Sequence, residues 1–224
     1  MIREAGVSRT GFYRLWPQRE QFIGDLIVEL AKDAIPVENI RGEEVTAQIK
    51  ELLLPRTGEL RDQDSRMRVV TDLLPQASIP DFAYMSSQTA SWRSYFGLTA
   101  LVMNLPAGGA QAAAREGVAL SESRYRDRLA RNYDVLMRFL GVRLRAGSDA
   151  SLEEVADLVI ALVRGLVLRS RVAEPEPSES IFLLGVSAVF THFFENDPDV
   201  TWDDKRIAEL MAMLAKERDL FTVA

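Results

Sequence analysis

The sequence predicts an all-α protein, and three observations carry the prediction. Apolar residues recur three and four positions apart over nearly the whole chain, the alternation of a half-buried strand is almost absent, and Pro, Gly and capping residues separate the periodic segments. Of 224 residues 47% are hydrophobic, enough to bury one extended core or two small ones. The arrangement expected is a small head and its connecting helix over 1–34, followed by an antiparallel helical domain over 35–224.

The head comes first. Arg3, Glu4 and Ala5 read as the end of a helix, and Gly6 as the left-handed residue that ends it with no Cβ to clash. Val7 plugs the angle between two helices. Ser8 is a good N-cap, so a short helix runs over 9–16 until Pro17 breaks it. Helix, glycine turn and short helix make a helix-turn-helix, whose second helix enters the major groove of DNA. A helix over 18–34 follows, with Phe22, Leu26, Ile27 and Leu30 at core spacing and Pro36 beyond its stop. Residues 43–54 form another helix closed by Pro55, and 61–74 a third closed by Pro75.

Pro80 opens a long helix that runs to Leu105, where Pro106 and the Gly108-Gly109 pair end it. One stripe carries Phe82, Met85, Thr89, Trp92, Phe96, Thr99 and Met103, and a neighbouring one Tyr84, Tyr95, Leu98 and Val102. Residues 111–145 are helical, broken near 117–121, with Tyr125, Leu129, Tyr133, Leu136, Leu140 and Leu144 inward. Gly147, Ser148 and Asp149 form a loop. Helices over 152–172 and 180–195, joined by the acidic stretch AEPEPSE, are apolar around more than half their circumference. A pair like that is buried on two sides, and the second side is most simply another copy of the chain. Leu158, Leu162 and Leu166 on the first helix, with Ile181, Val189, Phe190 and Phe193 on the second, are its candidate interface residues. A final amphipathic helix covers 203–220.

Charge sharpens the reading of the head. The chain carries a net charge of -6, unfavourable for a polyanionic partner. Yet residues 1–19 hold four arginines against Glu4 alone, so the head is +3 and the other 205 residues are -9. That is a local footprint for DNA on an acidic body. In the short helix Phe12, Leu15 and Trp16 share one side and should pack inward. Thr10, Gly11, Tyr13 and Arg14 are left outward, as hydroxyls for phosphate oxygens, an arginine for guanine or phosphate, and a glycine that admits the backbone closely. Gly11 costs about 1 kcal/mol of helix propensity relative to Ala, read either as a local weakness or as a concession to groove contact.

AGVSRTGFYRLWPQRE, residues 5–20, resembles the signature of the tetracycline-repressor (TetR) family of transcriptional regulators: a glycine turn, an aromatic followed by Tyr, then an aromatic, Pro and a basic-Glu pair. VADLVIALVRGLVLRSR is similar to the family's penultimate, dimer-forming helix. The resemblance implies that Ser8 and Tyr13 contact phosphates, that Arg9, Thr10, Gly11 and Arg14 belong to the DNA-reading segment, and that Arg19 anchors the next helix to phosphate. Trp16 stands where Phe is commoner and Leu15 where His or Tyr is frequent. The family carries two full helices ahead of this turn, whereas residues 1–5 hold barely one helical turn. The expectation is a poorly ordered head incomplete within the helix-turn-helix, either because the true start lies upstream or because the chain is truncated.

Other chemistry is sparse. There are no cysteines, which removes disulfides, thiol catalysis and Cys-based zinc sites and suits a reducing cytoplasm. No secretory signal is visible, and the closest approach to a membrane span, 158–168, is interrupted by Arg164. His192, the only histidine, lies between Phe190 and Phe193 and reads as an interface or core residue, not a metal ligand. Glu153 and Glu154 read as helix N-terminal charge. No phosphate loop, nucleophile elbow or triad is present, so neither an enzyme nor a cofactor is expected. The stripe from Phe82 to Met103 reads either as plain core or as a ligand pocket, with Met85, Trp92, Phe96, Met103 and Tyr125 as its effector-binding candidates.

The function expected is a cytoplasmic homodimer that binds a double-stranded DNA operator, most simply as a repressor released by a small apolar effector. Its two reading helices would meet half-sites about 34 to 36 Å apart or a multiple of that. The alternative is a dimeric helical protein that binds a small molecule or docks a partner without competent DNA binding.

Overall fold

The computed structural model describes residues 8–32, 42–173 and 178–216. Among these the protein is all-α, with helices α1 Arg9–Leu15, α2 Arg19–Lys32, α3 Gly42–Leu53, α4 Gln63–Ala77, α5 Ile79–Ser87, α6 Thr89–Asn104, α7 Gly109–Leu140, α8 Leu152–Val172, α9 Glu179–Phe193 and α10 Asp204–Lys216. A 3-10 stretch covers Leu54–Arg61, and two three-residue strands, β1 Val142–Leu144 and β2 Phe194–Asn196, pair antiparallel with Leu144 opposite Phe194. No described helix is long and apolar enough to cross a membrane. The expected helix end before Gly6, the turn at Gly6 and Val7, and the last residues of the 203–220 helix lie outside the described residues.

The chain divides into two compact units, Met1–Val37 with Thr89–Tyr125, and Glu38–Gln88 with Arg126–Ala224. The first unit therefore groups the head with a later segment, where the sequence suggested one cut near residue 34. Its core is a meeting of three stripes: Gly24, Ile27 and Ala31 on α2, Trp92, Tyr95, Leu98 and Val102 on α6, and Ala114, Gly117, Ser121 and Tyr125 on α7. The α7 stripe begins with small residues, which lets backbones approach. A Cβ on Gly117 would stand 2.8 Å from the Ala31 Cβ and 3.5 Å from the Val28 carbonyl oxygen. At the end of α6, Gln111 Nε2 donates to the Leu105 carbonyl at 2.7 Å and Asn104 Nδ2 to that of Ala100 at 2.7 Å, occupying acceptors that a helix end leaves open.

The second unit is built on α4. Val69, Val70, Leu73 and Leu74 are buried there, against α3, the 3-10 stretch and α9. Phe82 of α5 lies flat on Phe182 of α9, ring centroids 4.2 Å apart. α8 starts on a capping box, with the Ser151 hydroxyl accepting from Glu154 N at 3.2 Å and the Glu154 carboxylate accepting from Ser151 N at 2.7 Å. After β2 the chain turns back to Trp202, which fills the space beside Gly141. Gly141 has φ 61, and a Cβ there would lie 2.6 Å from Trp202 Nε1. The Arg66 and Arg206 guanidiniums lie 5.4 and 5.6 Å from the Trp202 ring centroid. Arg66 is itself buried, donating to Asn196 Oδ1 at 2.8 Å and to the Leu60 carbonyl at 3.0 Å. Burial pushes its guanidinium below the ordinary value, with Asp62 pulling the other way.

Several expected elements are corrected. The helix over 80–105 is two helices, α5 and α6, although no Pro or Gly separates them. Ser87 Oγ donates back to the Tyr84 carbonyl at 2.7 Å, and Arg171 takes the Ser86 carbonyl at 2.5 Å, the acceptor a continuous helix would need for Ala90. The helix over 111–145 has no break near 117–121, because its buried stripe continues through Gly117 and Ser121; it ends instead at Leu140, before β1. α4 runs through Pro75 to Ala77, since a proline in the last turn removes only one late hydrogen bond. α9 stops at Phe193 and its last predicted residues join β2.

Candidate functional site

The head is assembled from side chains within twenty residues. Ser8 caps α1, its hydroxyl accepting from Gly11 N at 3.1 Å. A Cβ on Gly11 would press on that hydroxyl at 3.0 Å, so the glycine protects the cap as well as thinning the surface. The inner side of α1 is seated by rings: Phe12 lies 5.2 Å from Trp16 and 5.0 Å from Phe22, and Trp16 lies 5.3 Å from Phe22. Such edge and tilted contacts contribute about 0.5–1.5 kcal/mol each beyond area burial. Trp16 Nε1 donates to Asp25 Oδ2 of α2 at 2.8 Å, which ties the end of α1 to the next helix. Pro17 separates the two, and α2 opens with Arg19 and Glu20 exposed.

Of the sequence-expected DNA-binding residues, Thr10, Tyr13 and Arg14 lie on one exposed side of α1, and Ser8 and Arg19 are also exposed. Tyr13 is 58% exposed, its ring edge-on to Phe12. The Arg9 side chain lies outside what the structure describes. Leu15 corrects the expectation that it packs inward: it is 64% exposed and forms a lip of a groove of about 470 Å3, walled by Trp16, Gly24, Asp25 and Ala113. A seven-residue helix presents only two turns, and the ring cluster already fills its inner side with Phe12 and Trp16.

The effector candidates separate. Trp92 and Tyr125 are buried in the first unit, with Phe96 stacked on Trp92 at 5.5 Å. Met103 is 66% exposed, and Met85 lies on α5 in the other unit. The buried stripe of α6 is thus the one through Tyr95, not the one through Phe96 and Met103. Tyr95, placed by the sequence on the neighbouring stripe and not among the effector candidates, donates its hydroxyl to Glu122 Oε1 at 2.5 Å, a short bond typical of a phenol on a carboxylate. The two residues are 27 apart and carry no local motif, so nothing in the pattern pointed to them. Thr99 Oγ1 donates to the Tyr95 carbonyl at 2.8 Å, so this hydroxyl has its partner within the helix.

On the α8–α9 pair, Leu158 is 47% exposed, and Leu168, Val172 and Leu184 are exposed at 44%, 76% and 71%. Leu162, Ile181, Val189 and Phe193 are half-buried, Leu162 leaning over Gly185. Leu166 and Phe190 do not face outward: both are buried in the chain's own core, where Phe190 meets Phe194 and Tyr133. The apolar face open on this pair therefore runs through Leu158, Leu162, Leu168 and Val172 and across to Ile181 and Leu184. His192 is exposed, edge-on to Phe193. No group of three or more metal-ligating side chains converges among the described residues. The chain matches no family model, no curated protein and no solved structure.

Proposed function

We propose that this chain is a ligand-responsive DNA-binding transcriptional regulator of the tetracycline-repressor kind, a repressor released by a small apolar effector and working as a homodimer. The observation that carries the reading is the two-sided α1: Thr10, Tyr13 and Arg14 on its exposed side, rings and the Trp16–Asp25 bond on the other. A helix seated on packed rings on one side, with hydroxyl, phenol and guanidinium on the other, is what reading base edges and phosphates requires.

Coupling has a short route within the first unit. The effector candidates Trp92, Phe96 and Tyr125 lie on α6 and α7, and those helices bear on α2, α7 through the crossing of Gly117 on Ala31. A ligand that parts α6 from α7 near Trp92 shifts α2, and with it α1. The effector acts only through its unequal affinity for the two arrangements, and a few kcal/mol suffice. Dimerisation would use the apolar face of α8 and α9, whose exposed leucines and Val172 are more than a lone surface helix pair needs.

The test is selection from a pool of random duplexes followed by anisotropy on the enriched sequence. The expected result is a salt-dependent affinity that falls roughly 5- to 150-fold in Arg14→Ala, the range for losing one good base contact. No enrichment, or an unchanged affinity in Arg14→Ala, overturns the reading. The net charge of -6 favours a second reading, a dimeric ligand-binding protein without DNA. It requires no enrichment together with a dimer that Leu184→Glu converts to monomer.

A further inference from the structure

A cleft of about 720 Å3 opens in the second unit between the loop after β1 and the outward side of α9. That volume is in the range that holds a small organic ligand. Gly147, at φ 83, turns the loop, and Ser148 N donates to the Arg145 carbonyl at 3.0 Å. Arg145 is then fixed against the end of α9: its Nε donates to the His192 carbonyl at 2.9 Å, and its Nη2 to those of Thr191 and Phe194 at 3.0 and 3.2 Å.

Those carbonyls are the acceptors and the negative end of α9, which offset part of the arginine's charge. Nη1 makes no hydrogen bond among the described residues, and neither do the imidazole of His192 and the hydroxyls of Ser187 and Thr191. No carboxylate is among the lining residues. The nearby Glu195 accepts from Arg143 Nε and Ala146 N, both at 3.0 Å, and the Arg145 charge acts on it without a hydrogen bond. Beside these donors the floor is apolar, made of Ala188 and the 71%-exposed Leu184.

We propose that this cleft binds a small amphipathic anion, a carboxylate on a short apolar chain. Its two oxygens take charge-assisted hydrogen bonds from the free edge of Arg145 and from Thr191, with His192 beside them. Its chain covers Leu184 and Ala188, removing apolar surface from water. The site does not depend on DNA binding. It shares Leu184 with the face assigned above to a second copy, so occupancy and self-association are linked, and each alters the other's affinity by one and the same factor.

The test is calorimetric titration of the full chain with hexanoate, at two protein concentrations, with acetate and inorganic phosphate as comparators. The proposal expects one saturable hexanoate site per chain, at least tenfold tighter than either comparator. It also expects about a tenfold loss in His192→Ala and in Thr191→Val, exposed positions whose replacement leaves the helical circular dichroism intact, and loss of the hexanoate preference in Leu184→Ser. Absence of saturable hexanoate binding at both concentrations, equal binding of acetate or phosphate, or variants that bind hexanoate as the wild type does would each overturn it.

Discussion

Two tryptophans fasten short helices in this protein by opposite means. Trp16, at the end of α1, is half-exposed, surrounded by Phe12 and Phe22, and its indole nitrogen is tied to Asp25 at the surface. Trp202, just ahead of α10, is only 6% exposed, wedged beside Gly141 with Arg66 and Arg206 near its ring, and its indole nitrogen has no hydrogen-bond partner. The second arrangement gains from burial and outweighs the cost of one unpaired buried N–H; the first gains less from burial and leans on the tie. Elements held the first way open at low free-energy cost, and parts that change position in function come from that end of the range.

The largest effect that would sharpen this contrast is at Trp202. Trp202→Ala should lower unfolding free energy by about 3–5 kcal/mol, the range for truncating a buried aromatic. A urea titration showing under about 1 kcal/mol would mean the site collapses freely and the two tryptophans are alike. Next is Gly141→Ala, which places a Cβ 2.6 Å from Trp202 Nε1 at a φ of 61. The expected loss is about 1–3 kcal/mol from overpacking and backbone strain, and it should shrink in a Trp202→Ala background, where Val200 Cγ1 at 3.0 Å and the positive φ are what remains.

Trp16→Phe keeps a ring and deletes the tie to Asp25. About 0.5–1.5 kcal/mol should be lost, visible as faster hydrogen exchange of α1 amides with the global urea midpoint unchanged. Equal loss in both measurements would show that α1 unfolds only with the rest of the molecule. The smallest effect is at Glu195, held below the ordinary carboxylate range chiefly by the hydrogen bond from Ala146 N, with Arg143 adding to it. A depressed carboxyl stabilises the folded state above its unfolded pKa, and that contribution fades as pH falls through the folded value. Glu195→Gln should therefore be slightly less stable than wild type at neutral pH and match it once the pH lies below both values; a gap that persists in acid would assign the effect to packing.

What the sequence made legible depended on how local the cause was. α8 was readable to its ends because Ser151 and Glu154 form a cap within four residues and a broad apolar run follows. α1 was readable because Ser8, Phe12, Trp16 and Pro17 act on their neighbours. The break between α5 and α6 was not, since one of its causes, Arg171 on the Ser86 carbonyl, comes from 85 residues away. The β1–β2 pair escaped for the same reason: three residues are too few for an alternation to show, and their partners are about fifty residues on. At the candidate sites, Thr10, Tyr13 and Arg14 could be placed from helical spacing alone. Tyr95 could not be ranked above Phe96, because a helix apolar on two adjacent stripes does not say which one its neighbours will cover.

The crossing of α2 over α7 has no cushion. Where most helices meet through side chains that can change rotamer and absorb a small shift, Gly117 offers a bare backbone to Ala31, with 2.8 Å left for a single carbon that is absent. A displacement of α7 at that point reaches α2 without slack, as between two shafts that touch with no bearing. Even a methyl group added there would act as a shim, holding the helices permanently apart and changing the angle of everything that α2 carries.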